Sequence, residues 1–322
     1  MKVGFKAAMA VHAAAAPDFS TRTYANYIRA IARALRDQYG TDPRTIIADV
    51  QRSVPYANPR MKQQLEAIET SLRRAWTCEQ MIYTTHDRTR PLRDRAAAIS
   101  WLATHAYYAI HGALDATLIA SGMRTTNHMK ALNAYGTTLR AKMPAWVLAV
   151  GCAGAEGAWS YSNFRQQPRP CAVLRVAQNE AEYCDHVAVA LRKAREEDAQ
   201  AAIDDWKSRA KRKTIPAAQR LAIVSKRDPT TVLHLFWRLR RRSNYGDIDL
   251  FIPEAKRESD LDSYVAAYLQ IVAFTVAAFE ALVERRIGPK ALEAMVRRSP
   301  WASAACDDFL SARWALAPHA KP

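Results

Sequence analysis

Apolar residues recur every three or four positions along most of this chain, and the interruptions of that rhythm mark out its helices. From Thr21 to Gln38 the stripe Tyr24, Tyr27, Ile28, Ile31 and Leu35 predicts an amphipathic helix. Asp42 followed by Pro43 reads as an N-cap with proline at the first helical position, opening a short helix through Ile46, Ile47 and Val50. Pro55 and Pro59 close this N-terminal unit. Met61, Leu65, Ile68, Leu72, Ala75 and Ile82 then keep helical spacing for about six turns. The helix expected from Pro91 to about Ser121 is apolar almost all round (Ile99, Trp101, Leu102, Tyr107, Ile110, Leu114, Leu118), the pattern of a central rather than a surface helix. Gly122 stands where a C-terminal cap belongs, and a further helix runs from Thr126 to about Lys142, before Pro144.

From Pro144 to Asp228 the texture changes. Gly151, Gly154, Gly157, Pro168 and Pro170 fall close together, followed by a charged helix from about Ala177 to Arg212 whose period is less clean. Asp228 and Pro229 repeat the cap-and-proline start, and Val232, Leu235, Phe236 and Leu239 form the stripe of the next helix. A last long helix spans Leu261 to Arg286. It carries no charge from Ser263 to Phe279, and its Gln270, Thr275 and many alanines mark a buried bundle helix rather than a membrane span. The fold class that follows is all-α: an up-and-down helical bundle over residues 59–143 and 229–290, with an N-terminal helical extension (1–58), an inserted basic subdomain (144–228) and a C-terminal tail (291–322).

Composition supports helix, with only ten glycines, and a net charge of +16 points to an anionic partner. The five cysteines are odd in number and scattered, as expected of cytosolic thiols. Cys152, Cys171, Cys184 and His186 lack the close pairing of a zinc site, so neither a metal nor a cofactor is expected. The start of the chain mimics a signal peptide, but its apolar segment is weak and ends in Pro17. The expectation is a cytoplasmic protein that does not engage a membrane.

The positive charge is concentrated. Between Lys207 and Arg242 there are twelve Lys and Arg against one acid, Asp228. On the helix that ends this stretch, Arg238, Arg241, Arg242 and Tyr245 share a face, while Arg240 sits on the neighbouring one with Trp237 and Asn244. Guanidiniums offer phosphate a bidentate fork, so these arginines, with Asn244 and the cluster Lys211, Arg212 and Lys213, are the candidate nucleic-acid-binding residues. The competing reading is a solvated face neutralised by Asp247 and Asp249, with arginines favoring a helix C-terminus. Tyr108, His111 and Asp115 line up at helical spacing, either as a histidine within reach of a phenol and a carboxylate or as a satisfied core histidine. His128, after Asn127, reads as covering a helix start. Trp159 and Tyr161 are the candidates for stacking on bases, with core packing as the alternative, and Phe236 reads as core.

The run Ala106, Tyr107, Tyr108, Ala109, Ile110, His111, Gly112, Ala113 in a buried helix, then His128 in a loop, then an arginine-rich helix ending in Asn244, Tyr245, Gly246 and Asp247, resembles the HEPN family over about 61–142 and 229–287. That resemblance implies a dimeric up-and-down bundle from toxin–antitoxin, phage-defence or RNA-processing systems, often partnered with a nucleotidyltransferase. It also implies Arg240, Tyr245 and Asp247 as catalytic residues, although nuclease members carry a histidine where this chain has Tyr245, a phenol that is a poor base at neutral pH. The expected function is an RNA- or nucleotide-binding protein with a basic cleft that grips phosphates. A metal-independent endoribonuclease is the alternative, and a DNA-associated replication or partition protein a third reading.

Overall fold

The computed structural model describes residues 17–55, 64–85, 87, 91, 94–95, 98–155, 158–245 and 258–298, with the backbone alone at 17–22, 100, 244–245 and 258–260. It is predominantly helical, as the periodicity predicts. The first helices are α1 (Pro17–Tyr39), α2 (Arg44–Ser53), α3 (Leu65–Thr85) and α4 (Ile99–Ala120). The Asp42 carboxylate accepts from the Arg44 backbone N–H at 2.9 Å and opens α2. Gly122, at φ 79°, ends α4, and the Met123 N–H reaches back to the Leu118 carbonyl at 2.9 Å.

α4 is the centre of the molecule. It lies side by side with α3 because Gly112 lets the two backbones meet: a Cβ at Gly112 would stand 2.8 Å from the Ser71 carbonyl and 2.9 Å from the Ala75 nitrogen. The helix expected over 126–142 starts two residues later, as α5 (His128–Ala134), and continues as a π-turn (Tyr135–Leu139) and a 3₁₀ turn (Arg140–Lys142). Gly136 in that π-turn presses against the Pro229 carbonyl, where a Cβ would come within 3.3 Å.

The segment 144–228 departs from the all-α expectation. After the short α6 (Trp146–Ala149), strands β1 (Gly151–Ala155) and β2 (Ala158–Ser162) form an antiparallel hairpin, and β1 also pairs with β3 (Thr230–Thr231), giving the order β2-β1-β3. Gly154, at φ 86°, could not carry a side chain, since a Cβ there would fall 2.1 Å from the Ala158 carbonyl. The charged helix is α7 (Glu180–Ala210), capped by Asn179, whose side chain accepts from the Glu182 N–H at 3.1 Å. A shorter helix, α8 (Ala217–Ser225), follows. Arg195 of α7 is almost wholly buried and ties the segment together, donating to the carbonyls of Gly154 (2.7 Å), Asp228 (2.9 Å) and Val224 (3.1 Å).

The remaining helices are α9 (Val232–Tyr245), α10 (Glu258–Ile287) and α11 (Pro289–Arg297). One continuous apolar core takes residues from α1 to α4, the first half of α7, α9, α10 and α11, so the N-terminal helices and much of 144–228 pack into the same core as the bundle. The stretch Leu261–Ile287 is long and apolar enough to cross a membrane, yet 83% of its most apolar window is covered by the rest of the fold, as befits a core helix. Its buried Glu280 accepts from the Trp76 indole at 2.6 Å, and Glu284 from the Gln51 amide at 2.7 Å.

Two predictions follow from this packing. Gly112→Ala forces α3 and α4 apart and lowers stability by roughly 1–3 kcal/mol, read from the urea midpoint at constant slope; an unchanged midpoint would refute the close crossing. His234 lies buried with its Nδ1 accepting from the Thr231 N–H at 3.2 Å, and burial pushes its pKa from 6.5 down to about 4. The unfolded chain therefore binds a proton that the folded one refuses, so this stability is complete above pH 6.5 and is lost as the pH falls towards 4. The loss should reach roughly 3 kcal/mol. Urea unfolding at pH 7 and pH 4.5 checks it, and His234→Asn should reduce the dependence by that amount, leaving the share of His111, which burial lowers likewise.

Candidate phosphate-binding site at Arg240

α9 runs antiparallel along α4, with Thr104 beside Ser243 (3.2 Å) and Tyr108 beside Arg240 (2.7 Å). The start of α5 closes the third side. Asn127 caps α5 by accepting from the Lys130 N–H at 2.9 Å, which leaves His128 as the first helical residue, facing α4 and α9. One cluster brings together Tyr107, Tyr108, His111 and Asp115 of α4, His128 of α5, and Trp237 and Arg240 of α9.

Arg240 is the group the others surround. Its guanidinium lies 4.9 Å from the ring centres of both Tyr108 and Trp237 and 5.9 Å from that of Tyr107, and it donates to the Tyr108 hydroxyl. Among the described residues no carboxylate pairs with it, and its Nε has no partner. Contacts with aromatic faces stabilise such a cation by about 0.5–2 kcal/mol, short of what a carboxylate or phosphate supplies.

His128 stacks on Trp237 with ring centres 4.9 Å apart and 25° between planes, and its Nδ1 lies 2.8 Å from the Tyr107 hydroxyl. The His111 ring centre is 4.3 Å from that of His128, and His111 Nε2 is shut off from solvent without a partner. Burial first, then the His128 ring, Arg240 and the exposed Arg74, push His111 down to about 4 against the pull of Asp115. Burial and then Arg240 also lower His128 below the usual histidine value. Both imidazoles are therefore neutral at pH 7. Asp115 is held by the Ser71 hydroxyl, which donates to it at 2.7 Å across the α3–α4 crossing. Burial raises the Tyr107 hydroxyl well above 10, so it stays protonated.

The other arginines of the run have different fates. Arg238 and Arg242, expected to grip phosphate, instead bond to Glu197 of α7 and to the Tyr24 hydroxyl, with their guanidiniums 5.6 and 5.2 Å from the Tyr24 ring centre. A carboxylate and a phenol on elements far apart in sequence thus occupy their donors. Arg241 is exposed. Lys211, Arg212 and Lys213 are exposed at the far tip of α7, roughly 20 Å along the helix axis from Glu197, and the structure does not bring them into the cluster at Arg240. The side chains of Asn244 and Tyr245, and all of Gly246, Asp247 and Asp249, lie outside the described residues. Trp159 and Tyr161 sit half-buried on β2 against the core, and Phe236 is fully buried. Among the described residues no three His, Cys, Asp or Glu side chains converge as metal ligands.

His128 is the residue the sequence reading undervalued. Its signal was the cap residue before it, which frees the first helical side chain to point away from the cap.

Replacing Arg240 by Gln removes a positive charge beside both imidazoles, so the titration midpoints of His111 and His128 should both rise in ¹H–¹⁵N NMR spectra. Midpoints that stay in place would show that Arg240 does not act on them. No protein-family model matches this chain, and neither a curated protein nor a solved structure gives a significant match, so a functional reading rests on the chemistry of this cluster.

Proposed function

We propose that the chain binds RNA through a phosphate held by Arg240 and cleaves that RNA with His128 as the proton-transferring group. The reading agrees with the HEPN resemblance in its substrate and in placing an arginine beside a histidine, but takes that histidine from α5 rather than from the end of α9. It suits RNA-directed proteins of defence or toxin–antitoxin systems.

One observation carries it: a half-buried arginine with no acidic partner among the described residues stands beside two neutral imidazoles, one of them oriented by a phenol. With a phosphodiester on Arg240, the ribose 2′-hydroxyl attacks the neighbouring phosphorus and the P–O5′ bond breaks, leaving a 2′,3′-cyclic phosphate and a 5′-hydroxyl. His128 Nε2 takes the proton from O2′ and returns it to O5′, while the Tyr107 oxygen accepts from Nδ1–H and holds that tautomer. Arg240 neutralises the charge that builds on the phosphoryl oxygens. His111 stays neutral and packs behind His128. The side chains supply acid, base and charge, so the step as written calls on no metal.

The test is incubation of the full chain with labelled single-stranded RNA in buffer containing EDTA. Fragments ending in 2′,3′-cyclic phosphate are expected. His128→Ala should slow cleavage by about 10²–10⁴-fold with binding retained, and Arg240→Ala should weaken both. A substrate with 2′-deoxyribose at the cleaved position should bind and survive. Equal cutting of DNA would overturn the mechanism, and RNA binding without cleavage would leave a binding module in place of a nuclease.

A further inference from the structure

Trp101 is 56% exposed in the first turn of α4, although the rest of that helix supplies the core. It has a ring neighbour one turn on: the His105 ring lies with 6.4 Å between ring centres and 26° between planes. Trp101, His105 and Tyr108 follow at intervals of four and three residues, so they form one stripe along α4 that runs from open solvent to the hydroxyl bonded to Arg240. At 1.5 Å per residue, Trp101 stands about 10 Å along the axis from Tyr108. The last turn of α9, with the exposed Arg241, ends alongside this same end of α4.

We propose that Trp101, with His105 beside it, is a stacking platform for an unpaired base one or two nucleotides from the phosphate at Arg240, which makes single-stranded RNA the substrate class. The proposal rests on the reading of Arg240 as a phosphate site. A flat indole more than half exposed, with a second ring beside it, offers a base the contact that an unstacked nucleotide lacks, and the chain's net charge of +16 draws the backbone to it. A duplex cannot use the platform, because its bases are already stacked and paired.

The experiment is equilibrium binding of a single-stranded RNA, made uncleavable by 2′-O-methyl groups, at fixed 150 mM salt, followed by fluorescence anisotropy and by quenching of tryptophan emission. Trp101→Ala should weaken binding about 5–150-fold and remove part of the quenching, whereas Trp101→Phe should keep most of the affinity. A duplex of equal length should bind more weakly and be indifferent to both changes. The site is exposed, so both variants should keep the thermal midpoint of the parent. Undiminished single-strand affinity in Trp101→Ala, or an equal loss for duplex, overturns the platform while leaving Arg240 as a phosphate site if Arg240→Ala still abolishes binding. A parent chain that binds no RNA at all overturns both.

Discussion

The packing of α9 on α4 turns on one half-buried guanidinium, that of Arg240, which sits among aromatic rings with no carboxylate beside it among the described residues. Arg240 cannot lose its proton, so the fold must solvate it by other means. It does so with the faces of Tyr107, Tyr108 and Trp237 and the oxygen of Tyr108. Those groups come from two helices, and they meet only because α9 runs antiparallel along α4. Burial, and after it the same charge, lowers the basicity of His111 and His128, so packing and Arg240 act together to keep both imidazoles neutral.

The position of α4 in turn depends on Gly112. That residue is the neighbour of His111 and stands at the point of closest approach to α3, and the crossing it allows brings Ser71 within 2.7 Å of Asp115. The helix packs mostly apolar side chains against α3, α9 and α10, with single polar contacts at Asp115, Thr104 and Thr117, and gathers its aromatic and titratable groups along the strip that faces Arg240 and α5. Packing and chemistry are divided between faces of one helix, which is why a sequence that reads as a core segment also carries Trp101, His105, Tyr108, His111 and Asp115.

That division marks the limit of what could be read from the chain. Stripes such as Tyr24, Tyr27, Ile28, Ile31 and Leu35 disclose α1 because the period of an amphipathic helix is written in one dimension. Gly122 and Asp42 disclose helix ends for the same local reason, whereas the pattern starts α7 at about Ala177 and misses its Asn179 cap. The three short strands left no comparable trace: β1 is built of glycine, alanine and cysteine, and the alternation of Trp159 and Tyr161 is two residues long. Helical spacing also puts Arg240 beside Trp237, and the structure agrees. What spacing could not reveal is any contact between distant elements. Glu197 meets Arg238 and Arg242 from 41 and 45 residues away, and His128 reaches Trp237 from another helix altogether.

Those long-range contacts decide how the arginine run divides. At an effective dielectric near 20, two unit charges 4 Å apart attract by about 4 kcal/mol, so an incoming phosphate must compete with Glu197 for Arg238 and Arg242. At Arg240 the competitors among the described residues are ring faces and a phenol, each of them weaker. One residue separates Arg238 from Arg240, but on a helix that two-position step turns the side chain to another face, and there it exchanges a carboxylate for a pair of histidines. The arginine run seen along the chain thus divides three ways: Arg238 and Arg242 share one carboxylate in a joint that fastens α9 to α1 and α7, Arg241 faces solvent, and Arg240 sits among rings with no carboxylate beside it among the described residues.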